Sequence, residues 1–206
     1  MKNIRKEAAT WIGLGSFVSI WLLLVFLSDS HMHLGLEALK RFPEAVVLYS
    51  AAHLYFTARA WRWRAFQGWL VPFPDLQGTW AGTIQSTWSD GTTQLAPAPI
   101  PVLLVIRQTF SSISCVLYSK ESTSSSGAAQ MTGEEGPNQP QLSFIYSNQP
   151  RPTVRDRSEI HDGATILRVA MRPKRMLEGK YWTDRKTTGE IQVLFKSRKP
   201  AERFSM

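Results

Sequence analysis

Three scarcities narrow what this 206-residue chain can be. It has a single cysteine, Cys115, so no internal disulfide can hold the fold, and Cys115 reads as a small core residue in a strand. Cys and His residues nowhere adopt zinc-ligand spacing: His31 and His33 have only Asp29 nearby, and no metal is expected. Acidic residues are outnumbered, 16 against 24 Lys and Arg, for a net charge of +8 that favours anionic partners such as phosphates or lipid headgroups. A basic protein without an anionic ligand is the plainer alternative.

Catalytic signatures are also missing. There is no Gly-rich phosphate loop, paired-carboxylate motif or nucleophile elbow. A triad assembled from Ser124, His161 and Asp162 fails because adjacent His and Asp cannot readily serve as base and orienter. We therefore expect no enzyme and no catalytic residues.

Long apolar runs occur twice. Trp11 to Leu27 carries no charge and follows Lys2, Arg5 and Lys6, and FLSDSHM after it is a poor signal-peptidase site, so a retained helix is expected. The second run, Phe42 to Ala60, opens with Pro43 at a first helical position and ends in arginines alternating with Trp61 and Trp63. Spans at about 11–28 and 42–60 would make a two-helix transmembrane hairpin over 1–65, with both termini cytoplasmic by the positive-inside bias. Lys40 and Arg41 in the connecting loop weigh the other way. His53 in the second span is expected to pack against the partner helix, or to be a functional polar group. Pro72 and Pro74 mark 66–75 as a linker.

Beyond it no run looks helical. LQGTWAGTIQSTW, Leu76 to Trp88, alternates Trp80, Gly82, Ile84, Ser86 and Trp88 on one face with polar or small residues on the other, a period of two. Strand-like runs follow near 101–109, 112–119, 121–131, 141–148, 163–171, 176–183 and 188–196, with tight turns at Phe110 to Ser112 and Pro173 to Arg175. The fourth run, ESTSSSGAAQM, reads either as a strand with inward serines or as a serine-rich linker. The expected fold is all-β: an eight-stranded up-and-down barrel, lipocalin- or avidin-like, over 76–196, with a flexible tail at 197–206.

An up-and-down order sorts residues by end. One mouth would collect Trp88, Ser122, Ser124, Tyr146, Asn148, His161, Thr183, Arg185 and Thr187, under a loop carrying Arg151, Arg155 and Arg157. Hydroxyls, an amide, aromatic faces and arginine suit a compact anion bearing bases to stack. The plainer alternative makes Trp88, Tyr146 and Tyr181 core residues with Arg185 at the rim. The opposite end holds Trp80, with Arg198 or Lys196 expected as the cation over it.

The helical hairpin, LQGTWAGTIQSTW, YSKESTSSSG, FIYSN, IHDGATILRV and above all LEGKYWTDRKTTGEI resemble the two-transmembrane, β-strand-rich effectors of bacterial cyclic-oligonucleotide-based antiphage signalling systems. The resemblance covers nearly the whole chain. It implies a multi-pass inner-membrane protein whose cytoplasmic barrel binds a cyclic dinucleotide as activating ligand, without other cofactor and without a DNA or RNA polymer as partner. Binding would then drive homo-oligomers that disrupt the membrane lipids and kill the host cell. It extends to Tyr181, Trp182, Thr183, Arg185 and Thr187 of the YWT-R-T motif and to Ser122 and Ser124. The alternative is a lipid-binding or structural membrane-tethered barrel with no nucleotide ligand.

Overall fold

A computed structural model describes residues 6–28, 36–88, 98–132 and 139–204. His31, His33 and Asp29, the first basic residues Lys2 and Arg5, and most of the connection after Trp88 lie outside the described residues. The chain divides into two compact units, Lys2–Pro72 and Phe73–Met206.

The first unit is helical: α1 (Lys6–Ser28), the single turn α2 (Leu36–Lys40) and α3 (Phe42–Ala58). Phe17 of α1 meets Phe42 and Tyr49 edge-on at 5.4 and 5.7 Å, and Trp21 Nε1 donates to the Ala38 carbonyl at 2.9 Å. Those contacts pack α1 against α2 and α3. His53 does not join them: it is exposed and stacks on Tyr49 of its own helix, 6.3 Å away.

Only the Thr10–Ser28 stretch among the described residues is long and apolar enough to cross a membrane. The 17 residues of α3 rise about 26 Å, short of the roughly 30 Å hydrocarbon layer. A hairpin of two spans is therefore not established by the helices themselves. Gly68, at φ +89°, lets the chain turn back so that Val71 N donates to the Phe66 carbonyl at 2.8 Å, and both Leu70 and Val71 are buried.

The second unit is a closed antiparallel barrel in sequence order, from β1 (Gly78–Ser86), β2 (Ile100–Gln108), β3 (Ile113–Ser119) and β4 (Ser122–Thr132) to β5 (Gln141–Pro150), β6 (His161–Ala170), β7 (Met176–Thr183) and β8 (Thr188–Ser197). All eight expected strands form within a few residues of where the alternation placed them. The serine-rich run is a strand, paired with β5 along its whole length. β8 closes on β1, with Trp80 opposite Phe195 and Ser86 opposite Gly189.

Trp80 is fully buried at the floor, where it touches Phe195 edge-on at 5.2 Å. The cation over it is neither Arg198 nor Lys196. Arg175, in the turn before β7, lays its guanidinium 3.6 Å from the Phe195 ring centroid and 5.2 Å from that of Trp80. Arg198 turns aside to pair with Asp75 at 2.6 Å. The floor is further tied by Gln108, whose Oε1 accepts from Leu76 N at 2.7 Å and whose N–H donates to Gln77 Oε1 at 2.6 Å.

Thr79 Oγ1 donates to the Lys199 carbonyl at 2.7 Å and accepts from Ala201 N at 2.9 Å. One outward hydroxyl on β1 therefore pins the chain beyond β8, and Leu103 on the neighbouring strand is buried although it faces out.

Candidate ligand-binding site

At the end away from Trp80 the barrel opens onto a cavity of about 530 Å³. Its inner wall is apolar, from Ile84, Val102, Leu117, Phe144 and Ile191, and its upper wall is polar. All nine residues expected at the mouth line it: Trp88, Ser122, Ser124, Tyr146, Asn148, His161, Thr183, Arg185 and Thr187.

Their chemistry differs with position. Asn148 and Ser124 are buried on paired strands, and Ser124 Oγ donates to Asn148 Oδ1 at 2.9 Å. The Asn148 carboxamide keeps its N–H donors for a ligand, held in place by a bond made inside the wall. Ser122 also serves the fold: its hydroxyl meets Ser119 Oγ at 3.0 Å in the turn between β3 and β4. Thr183 is likewise a turn residue, its Oγ1 accepting from Thr187 N at 3.2 Å and donating to the Thr187 carbonyl at 3.3 Å. That staple fixes the tight β7–β8 connection, in which Lys186 has a φ of +62°.

Arg185, exposed in the same connection, donates from Nη1 to the Glu159 carbonyl at 3.4 Å. His161 Nδ1 lies 2.9 Å from that carbonyl. A carbonyl only accepts, so Nδ1 carries a proton. His161 and Arg185 thus share one anchor at the rim. Trp88 lies two residues beyond β1, half-exposed, with its N–H bonded to Ser86 Oγ at 3.1 Å.

Two tyrosines supply flat faces, and glycines on neighbouring strands set both. Tyr146 stands opposite Gly163, where an added Cβ would come within 2.5 Å of the phenol oxygen. Tyr181 stands opposite Gly189, where a Cβ would meet the ring at 2.5 Å. Each ring lies across a place only glycine leaves vacant. Burial pushes both phenols above their ordinary ionisation range. For Tyr146 the proximity of Tyr181 and Asp184 adds to the effect, while for Tyr181 a bond to Ser86 opposes it. Both stay protonated donors at neutral pH.

A charged pair also reaches the cavity, one partner of which, Glu121, was not among the residues expected at the mouth. Arg157 and Glu121, from facing connections, form a salt bridge across its rim. Of the three arginines expected over the mouth, Arg157 alone lines it, whereas Arg155 folds back on the Pro150 carbonyl at 3.5 Å. A signal for Glu121 existed in the sequence, since it lies in the turn between two mouth strands. Trp182 of the YWT-R-T motif points outward and is exposed. Among the described residues, no three His, Cys, Asp or Glu gather to hold a metal ion.

A closed barrel with one open end, an apolar inner wall, two aromatic faces and a cationic polar rim is a receptor for a small ligand. Over residues 71–194, more than half of its length, the chain matches the family model described as Cap15, cyclic dinucleotide receptor domain, and it belongs to that family. A curated relative, CD-NTase-associated protein 15 of Staphylococcus schleiferi, is 29% identical over 133 residues, 65% of this chain and 66% of the relative. The match thus spans just under two thirds of that relative. The family likeness read from the sequence holds.

Proposed function

We propose that this chain is a membrane-anchored antiphage effector. Its barrel captures a cyclic dinucleotide made by a nucleotidyltransferase, and capture drives self-association that disrupts the bacterial inner membrane. One observation carries the reading: Tyr146, Tyr181, Asn148 and two arginines converge on one cavity in a domain of the cyclic dinucleotide receptor family. Bases stack on the tyrosine faces, each worth roughly 1–3 kcal/mol in nucleic-acid sites. Asn148 donates to a base edge, and Arg185, with Arg157 freed from Glu121, grips the phosphates.

The role is that of a receptor and not an enzyme, for Ser124 is engaged by Asn148 and His161 by a main-chain carbonyl. The relative's name ties it to a CD-NTase, and the same association is proposed here. In this reading α1 and α3 both span the bilayer, α3 making up its length with the exposed Trp63 and the snorkelling Arg59, Arg62 and Arg64. Both termini are then cytoplasmic. The test is dye release from liposomes of bacterial lipid carrying the full chain. Release should begin on adding a cyclic dinucleotide that calorimetry shows to bind. Bound ligand without release would overturn the effector role.

A further inference from the structure

Barrel closure is uneven at one seam. β3 and β4 pair only through Val116, Leu117 and Tyr118 against Ser125, Ser124 and Thr123, whereas β4 pairs with β5 from Ser122 to Thr132. β4 has eleven residues against seven in β3, and a bulge between Ser126 and Ala128 turns it away. Beyond Ser125 the link to β3 is a side-chain one, Cys115 N donating to Ser126 Oγ at 2.9 Å. A Cβ on Gly127 would find nothing within 4 Å. The strand from Ser126 to Thr132 therefore presents a free edge among the described residues.

Proteins usually blunt such an edge with lysine or proline, and Ser122–Thr132 contains no proline and no charge. An apolar row begins at the same edge and crosses the outer wall. Ala128 lies opposite Ile145, Ile145 opposite Ala164, and Ala164 opposite Trp182. Ile145 is 60% exposed and Trp182 41%.

We propose that the Ser126–Thr132 edge of β4 is where two copies of this chain join, strand against strand about a two-fold axis. A strand pairing with its own copy about such an axis runs antiparallel, and each unpaired N–H then faces a carbonyl of the other copy. The apolar row decides for a second copy over an extended peptide. A peptide would cover the edge and leave Ile145 in water, while a second barrel wall brings its own Ala128 and Ile145 to the same crevice. The inference rests on the self-association in the proposed function and locates it.

The experiment uses the full chain in detergent micelles with a panel of 3′,3′-cyclic dinucleotides, reading binding by calorimetry and mass by light scattering. Wild type should assemble on binding. The double variant Ala128→Lys and Gln130→Lys, both positions exposed and facing out, should stay monomeric with affinity within about twofold. If the folded double variant assembles like wild type, the edge is the wrong surface and self-association stands. If wild type binds ligand and stays monomeric, self-association itself fails. Single cysteines at Ala128, Gln130 and Thr132 give a readout independent of the lysines. At least one should form a disulfide dimer on mild oxidation, and Glu190→Cys on β8 should not. No dimer from any of the three, or equal dimer from Glu190→Cys, overturns the proposal.

Discussion

Replacing Arg175 with alanine should lower the barrel's melting temperature and leave its ligand affinity unchanged. The guanidinium sits over the Phe195 ring and beside that of Trp80, and its Nη2 donates to the Asp75 carbonyl at 3.0 Å. A cation–π contact is worth about 0.5–2 kcal/mol depending on desolvation, and the hydrogen bond about 1 kcal/mol. Two features offset part of this. Arg175 Nε is buried without a hydrogen-bond partner, and burial together with nearby Arg198 already draws the guanidinium's pKa below its ordinary value. The net loss is on the order of 1–3 kcal/mol, or a fall of about 4–12 °C for a domain of this size. Arg175→Lys, which keeps the charge but not the flat guanidinium, should recover only part of it. Circular dichroism melts at several salt concentrations measure the effect, which should persist in high salt because ring contact is screened little. An unchanged melt for Arg175→Ala beside a large drop for Arg198→Ala would refute the assignment of Arg175 as the floor cap.

Gly189→Ala would drive a methyl into the Tyr181 ring and the Gln85 carbonyl. It should destabilise the barrel by about 1–3 kcal/mol in urea melts, and a neutral result would mean that Tyr181 is free to move. Stability should fall as pH rises above about 9: burial lifts Cys115 from 9.0 to about 12 and also raises Tyr146 and Tyr181, so the folded state holds protons that the unfolded chain has released. Urea melts from pH 8 to 11 check the sign, and a flat profile would contradict the burial of these groups. The fragment 73–206 should fold alone with a cooperative β-rich melt, since its contacts form one unit, and a disordered spectrum would contradict it. Removing the helices should abolish liposome dye release and keep ligand binding, and lost binding by a folded fragment would show that the two roles are not separable.

The barrel was legible in the sequence because its strands obey a period of two and turn residues punctuate them. The mouth was legible for the same reason: once strands alternate in direction, Trp88, Asn148 and Arg185 must rise at one end. What escaped depends on register and on chain outside the strands. Arg175 sits in a turn, so strand parity said nothing of where its side chain goes, and pairing logic put Arg198 or Lys196 over Trp80 instead. The seating of Tyr146 on Gly163 and of Tyr181 on Gly189 needs the exact cross-strand partner, which a one-residue shift would change. The bond between the Ser122 and Ser119 hydroxyls belongs to the turn between β3 and β4, whose geometry the strand pattern does not give. The bond from the Thr79 hydroxyl to the Lys199 carbonyl joins residues more than a hundred apart in sequence, which no local pattern reveals. The short α3 shows the limit of reading spans from apolar runs, as its helical part stops at Ala58 and two single 3-10 turns, Ala60–Arg62 and Arg64–Phe66, follow.

The central claim is that the open end of the barrel holds a cyclic dinucleotide through its phosphates and bases. Isothermal titration of the full chain against a panel of cyclic dinucleotides, wild type beside Arg185→Ala, tests it most directly. Arg185 is exposed and makes one long bond to a main-chain carbonyl, so its loss should leave the melt nearly unchanged. Loss of a charge-assisted phosphate contact costs on the order of 1.5–3 kcal/mol, roughly tenfold to 150-fold in affinity. Wild type should bind saturably, and the variant should show that weakening. No binding by any member of the panel, or equal affinity in Arg185→Ala, would contradict it.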